Sequence, residues 1–326
     1  MCFHIQKTLR VIPVLAFAVL LCGCGSRLLS EREIARAVLL EQTTQGYRAV
    51  LLINDQQSEE SPAYKVAQAT AETAAEAWAR AERTLPGELF YGLTDLLVLP
   101  SDCNWNTASE IVRLAEQTIR PAPQVNVCLM DHSSQGESLA DHAAEWYEKV
   151  RTLQKEFALR TGMQTIFSAP EGCSLPVLQQ EGYGFAFLER DGETFRCHND
   201  LQSQLAAVLC GSAGKMNGIF SCDGQMLEFR ADVGTAVQPQ TPDSIRVFLT
   251  FQSEQLDLLS AQDSSAQTLR AMLDKAIQME FRSLMARIGQ EQSDPFDLQF
   301  WTENRFGLAD DDLDVQLSIF HDSVPA

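Results

Sequence analysis

Leu93-Thr94-Asp95-Leu96-Leu97-Val98-Leu99-Pro100 is the stretch on which the fold class turns. An apolar run closed by a proline reads as a short buried strand. Thr107 to Ile119 follows, with Ile111, Val112, Leu114, Ala115 and Ile119 at helical spacing, and Pro121 and Pro123 stop that helix. Val125-Asn126-Val127-Cys128-Leu129-Met130 then reads as a second strand. Strand, helix and strand in succession predict a mixed α/β domain.

Outward from this unit the pattern continues in both directions. Ile34 to Leu40 and Arg48 to Ile53 are apolar runs separated by Gln42-Thr43-Thr44-Gln45-Gly46, a strand–turn–strand signal. Asn54 to Pro62 is polar and loop-like. Thr70 to Leu85 predicts a helix, with Ala71, Ala74, Ala75, Trp78, Ala81 and Leu85 on one face and Pro86-Gly87 at its end. After the second strand, Gly136 to Thr161 is a polar, helix-rich segment. Its apolar face holds Leu139, Ala143, Trp146, Val150, Leu153 and Phe157. Composition shifts at Ser168-Ala169-Pro170-Glu171-Gly172, which places a domain boundary near residue 168.

The second half opens on a hairpin. Tyr183 to Leu188 and Glu193 to Cys197 flank Arg190-Asp191-Gly192, and Asp-Gly between apolar runs is a strong short-range hairpin signal. Asn199 to Leu209 is helical in pattern, while Gly218 to Cys222, Leu227 to Ala231 and Ile245 to Phe251 read as strands. Thr268 to Ile288 is the clearest helix, with Leu269, Met272, Leu273, Ala276, Ile277, Phe281, Leu284, Met285 and Ile288 in one stripe. Leu313 to Ile319 alternates strictly and predicts a half-buried strand. The expected architecture is therefore α/β of the mixed α+β kind. It comprises a mixed domain over residues 24–168 and an α+β domain over 169–326, after a leader of residues 1–23.

The composition agrees: 326 residues with 45% hydrophobic and 21% charged side chains describe a folded chain of about two domains. The net charge of −19 repels phosphate backbones and argues against nucleic acid as a partner. Collagen-like, coiled-coil and multi-span membrane readings are excluded by the same figures.

The first residues form an address. Lys7 and Arg10 precede an apolar run from Val11 to Cys22, broken only by Pro13. About a dozen residues are too few to span a bilayer, which takes ~20, so the run reads as a secretory signal. Leu21-Cys22-Gly23-Cys24 has the Leu-x-Gly-Cys form of a bacterial lipobox. On that reading Cys24 receives a diacylglyceryl group and becomes the new N-terminus, holding the protein to membrane lipid. Several acyl chains on one residue make such attachment stable. The alternative is a plain secretory signal in which Cys22 and Cys24 are incidental. Small Gly23 and the adjoining Cys24 fall where the apolar run ends, which favours lipidation. Residues 25–33 are a short polar tether.

Outside the cytoplasm, Cys103, Cys128, Cys173, Cys197, Cys210 and Cys222 could pair as disulfides. They could equally be small buried hydrophobes. Cys197, His198, Cys210 and Cys222 lack the short paired spacing of structural zinc modules.

Catalytic signatures fail in the same way. Gly211-Ser212-Ala213-Gly214-Lys215 resembles a phosphate loop, but Leu209 stands where Gly is needed and Met216 where Ser or Thr is needed. Cys210 stands where a nucleophile elbow requires Gly. Asp310-Asp311-Asp312-Leu313-Asp314 would need Gly at Val315 and Glu at His321 to bind calcium as an EF-hand. His132 and His142, beside Asp131 and Asp141, read as surface loop residues. A Ser-His-Asp triad is spatial, so spacing alone does not address it. The residues by themselves predict no catalytic, cofactor or metal site. They describe an extracytoplasmic, lipid-anchored binding or assembly protein, or a stand-alone surface solute-binding or envelope lipoprotein.

The chain also resembles the Ger(x)C family, the lipoprotein C subunits of spore nutrient-germinant receptors. The resemblance begins with lipid-acceptor Cys24 followed by Arg32-Glu33-Ile34 and a strand pair. It continues in the Ala-rich helix start Ala69-Thr70-Ala71-Glu72-Thr73-Ala74-Ala75-Glu76-Ala77 before Phe90-Tyr91-Gly92-Leu93-Thr94-Asp95-Leu96-Leu97-Val98-Leu99. Tyr183-Gly184-Phe185-Ala186-Phe187 with Asp191-Gly192 is similar to the hairpin that opens the family's C-terminal domain. The long helix ending near Gln290, followed by Asp294-Pro295-Phe296-Asp297, is similar to the family's helix and Asp-rich turn. Gly25-Ser26 stand where the family has aromatic and acidic residues, and the chain is short between its halves and near its C-terminus. The resemblance implies a non-enzymatic subunit in spore germination, lipid-anchored through Cys24 on the extracytoplasmic face of the spore inner membrane or cell membrane. Its implied partners are two integral membrane receptor subunits of the A and B types.

Overall fold

In the computed structural model the described residues are 32–55, 63–119, 125–131, 139–168, 172–179, 183–190, 192–197, 200–222, 224–259, 265–291, 293–308 and 313–322. The apolar runs 34–40 and 48–53 form strands β1 (Glu33–Thr43) and β2 (Gly46–Asn54), closed by a two-residue turn at Thr44-Gln45. Gly46 is obligatory at that turn. It sits at φ +113°, and a Cβ there would lie 2.3 Å from the carbonyl oxygen of Ala71.

β3 (Tyr64–Ala71) adds antiparallel to β2, and here the structure departs from the pattern. Thr70 and Ala71 belong to this edge strand, not to the helix predicted from Thr70. Helix α1 (Ala74–Arg83) starts after Thr73, whose hydroxyl accepts the N–H of Glu76 at 3.2 Å. An alanine-rich run carries no alternation that marks a strand end, so the cap decides where the helix begins.

β4 (Leu89–Phe90) and β5 (Leu96–Leu99) pair parallel with β1, joined through α2 (Trp105–Ile119) to β6 (Asn126–Met130), which is parallel to β5. The unit read from Leu93 to Met130 is thus a strand–helix–strand crossover between parallel neighbours within one sheet. α3 (Ala143–Phe157) buries Ala143, Tyr147, Val150, Leu153 and Phe157. Tyr147 is fully buried, whereas Trp146, assigned to the core face from spacing, is only half-buried.

After the single turn α4 (Thr165–Ser168) the chain enters β7 (Gly172–Leu178), β8 (Tyr183–Glu189) and β9 (Phe195–Cys197). β8 and β9 pair antiparallel, with Phe185 opposite Cys197 and Phe187 opposite Phe195. β9 begins at Phe195 rather than at Glu193 as the pattern predicts, and the predicted turn residue Asp191 lies outside the described residues. These strands extend the first sheet, in the order β3-β2-β1-β5-β6-β7-β8-β9 with β4 beside β1. The shift in composition near residue 168 therefore does not coincide with a change of sheet. A continuously apolar strand such as β8, buried along nearly its whole length, signals only that both faces are covered, not which sheet it joins.

The second sheet begins after α5 (Asp200–Leu209). Its strands β10 (Lys215–Cys222), β11 (Gln225–Thr241), β12 (Ser244–Leu258) and β13 (Asp314–His321) lie in sequence order, with β13 parallel to β12. β11 and β12 far exceed the runs 227–231 and 245–251 because their outer segments are polar and exposed, and alternation there is weak. Between them and β13 lie α6 (Ala266–Glu291) and α7 (Leu298–Phe306). α6 buries Leu269, Met272, Leu273, Ile277, Phe281, Leu284 and Ile288, the stripe read from the sequence apart from Ala276 and Met285.

Two apolar cores result. One fills the face of the first sheet under α1 and α2, with Trp78, Ala81, Ile111 and Val112. The other runs from the opposite face, under α3, through α5 to the inner face of the second sheet and α6. That continuity joins both sheets through shared buried side chains. The architecture is the mixed α/β class expected, built on two sheets with helices on their faces.

Candidate functional site

Cys24 and the leader lie outside the described residues, so the site is built from where the tether enters the fold. That end of the first sheet holds the beginnings of β1, β3, β5 and β6. Lys65 pairs with Glu33 at 2.6 Å, and Arg32 stacks over Phe90 at 5.8 Å. Leu93 and Val66 expose apolar surface there.

Beside them is a polar clamp. Arg36 Nη2 donates to Asp95 Oδ2 at 2.7 Å and to Tyr147 Oη at 2.8 Å, and Tyr147 Oη donates to Asp95 Oδ2 at 2.9 Å. Burial, with Asp95 adding to it and Arg36 opposing it, pushes the Tyr147 phenol up to about 12, so it remains a donor. Tyr64 extends the network by donating to Glu148 at 2.7 Å and meeting Tyr147 edge-on at 5.5 Å. The group ties α3 to β1 and to the residue before β5 across 111 and 52 residues of sequence. Spacing could not have found it, because its members meet only through the sheet.

A second cluster closes the C-terminal sheet. His321 Nδ1 lies 2.7 Å from Glu254 Oε2 and its Nε2 lies 2.8 Å from Asp274 Oδ1, with Phe251 stacked on the ring at 5.6 Å. Arg270 pairs with the other oxygen of Glu254. A base needs a nucleophile on one nitrogen, and here carboxylates hold both. The cluster fastens β13 to β12 and α6.

The remaining sequence candidates disperse. Gly211 to Lys215 is the turn from α5 into β10, where Ser212 Oγ donates to the Ala207 carbonyl at 2.9 Å and Lys215 pairs with Asp232 at 3.3 Å. His142 precedes α3 with Nδ1 2.9 Å from Glu145. His132, His198 and Asp310 to Asp312 lie outside the described residues.

Among the described residues no disulfide forms between these six cysteines, which corrects the disulfide alternative. Cys103, Cys128, Cys173, Cys197 and Cys222 are buried, and Cys210 Sγ donates to the Pro295 carbonyl at 3.0 Å. Burial pushes Cys103 and Cys173 up to about 12 and Cys197 up to about 11. The thiolate is the reactive form, so a thiol reagent at pH 8 should label none of Cys103, Cys173 and Cys197 in the native protein and all three in urea. Native labelling of Cys103 or Cys173 would contradict the burial. The linkage follows. Unfolded thiols ionise near ~8.5 while the native ones keep their protons, so this contribution to stability is complete below about pH 8.5. It is lost as pH rises toward 11–12.

No protein-family model matches the chain, and no curated protein matches it. A solved structure does. The crystal structure of the GerBC protein aligns with 88% of this chain and 97% of its own, at a TM-score of 0.50 and 12% identity. At that identity the likeness speaks for the backbone. That alignment gives this chain a Ger(x)C-like fold.

Proposed function

We propose that this chain is a non-enzymatic C-type subunit of a germinant-receptor complex, acting in spore germination and held to the extracytoplasmic face of the membrane by lipid on Cys24. The observation that carries this reading is the likeness to the GerBC protein, which extends over nearly all of both chains. Three features agree with it. The lipobox form ends at Cys24, and the tether to Glu33 reaches at most ~30 Å when extended. The tethered end of the fold carries exposed Leu93 and Val66 beside charged pairs, a composition suited to packing near a membrane and its proteins. The polar clusters of the described residues read as structural clamps, leaving assembly as the role that uses the fold.

The test is a pull-down of tagged chain from detergent-solubilised membranes of its own cells, followed by mass spectrometry. Two multi-span proteins in amounts equal to the bait are expected. Recovery of the chain with no multi-span partner would overturn the subunit reading in favour of a stand-alone lipoprotein.

A further inference from the structure

Where β10 passes α3 and α5, between the two sheets, a cleft of about 290 Å³ opens. Phe157, Tyr183, Phe220 and Phe229 line its walls, and Glu156, Gln204 and Asn217 supply its polar groups. Gln204 is 5% exposed. Its Oε1 accepts the backbone N–H of Asn217 at 2.8 Å. An N–H needs an oxygen opposite it, so this bond fixes the amide orientation and turns Nε2 away from β10's backbone. Nε2 has no acceptor among the described residues. A donor at the cleft wall with no protein acceptor can be met by an acceptor that a ligand brings.

Two further features shape the cleft. A Cβ on Gly218 would lie 3.8 Å from Phe229 and 3.9 Å from Gln204 Nε2, so a longer side chain there would grow into the space. Glu156, also on the lining, accepts from Asn217 Nδ2 through Oε1 at 3.3 Å and brings a carboxylate to the cleft. Among the described residues no lysine, arginine or histidine lines the cleft. A lone carboxylate among aromatic rings suits a cation, and the net charge of −19 draws cations toward the surface.

We propose that this cleft binds a small organic amine: an ammonium paired with Glu156, a neutral carbonyl accepting from Gln204 Nε2, and an apolar body among the aromatic rings. The volume lies at the small end of ligand pockets. The assignment stands on the isolated chain and does not depend on its membrane partners.

The test is calorimetric titration of the full chain in detergent with phenylalaninamide, which carries all three groups. Saturable binding is expected. 3-Phenylpropanamide lacks the ammonium and phenylalanine adds a carboxylate, and each should bind about tenfold more weakly. Gln204→Leu should weaken phenylalaninamide about tenfold. Should that variant fail to fold, Glu156→Gln at the half-buried rim decides the matter, because it should abolish the preference for phenylalaninamide over 3-phenylpropanamide. Absence of saturable binding by phenylalaninamide would overturn the proposal, and so would a preference unchanged by Glu156→Gln.

Discussion

Cys24→Ala should move the chain from the membrane fraction to the soluble fraction while leaving its circular dichroism unchanged. Among the described residues no helix is long and apolar enough to cross a membrane. The apolar run from Val11 to Cys22 is also well short of the ~20 residues a span needs. If lipid holds the protein, it does so through acyl chains worth ~0.8 kcal/mol per buried CH₂, and removing their one acceptor removes nearly all of that energy. The fold has no reason to respond, since eight residues separate Cys24 from β1 and both cores lie beyond them. Fractionation of wild-type and variant chains in high salt, with the mass of the N-terminal residue, reads the result. A variant that stays in the membrane fraction, or a wild-type Cys24 of unmodified mass, would sink the lipid anchor and return the leader to a plain secretory signal.

Trp78→Ala should cost about 4 kcal/mol, the largest single-site loss of stability in the N-terminal half. Trp78 is 2% exposed on α1, against the face of the first sheet, within a core of small and aliphatic side chains. Its Nε1 donates to Tyr91 Oη at 2.6 Å, and the rings meet edge-on at 5.9 Å. Tyr91 in turn donates to Glu82 on the same helix, so the indole holds both a cavity and a hydrogen-bond chain. α1 covers that face with alanines otherwise, Ala77 and Ala81, which cannot close over the space an indole leaves. Trp78→Phe keeps much of the volume but not the donor and should cost about 2 kcal/mol. Urea melts followed by circular dichroism separate the two. Equal midpoints for Trp78→Ala and wild type would show that α1 is not stabilised through this residue.

The mixed α/β class and many of its elements could be anticipated from patterns with fixed periods. The Leu93–Met130 unit, the Asp-Gly hairpin at residues 190–192 and the stripe on α6 each follow from which side chains water rejects at spacings of two or 3.6. Where the pattern misled, a non-periodic contact had decided. Thr70 and Ala71 became strand because β2 offered an edge, and the helix waited for the Thr73 cap. Tyr147 displaced Trp146 from the core because Arg36 and Asp95 meet its hydroxyl there. β7 and β8 joined the first sheet because their hydrogen-bonding partners, β6 and each other, lie on that side.

What the sequence by itself determined about this protein is local. It holds the leader with its candidate lipid acceptor, the acidic charge, the element types and the failure of every spaced catalytic motif. Only the tertiary structure decided which strands share a sheet, that the six described cysteines form no disulfide and that Gln204 and Glu156 line one cleft. The reason is physical: burial and periodicity act on neighbours along the chain. Strand pairing, polar clamps and clefts are instead made by groups tens of residues apart, whose meeting no spacing records.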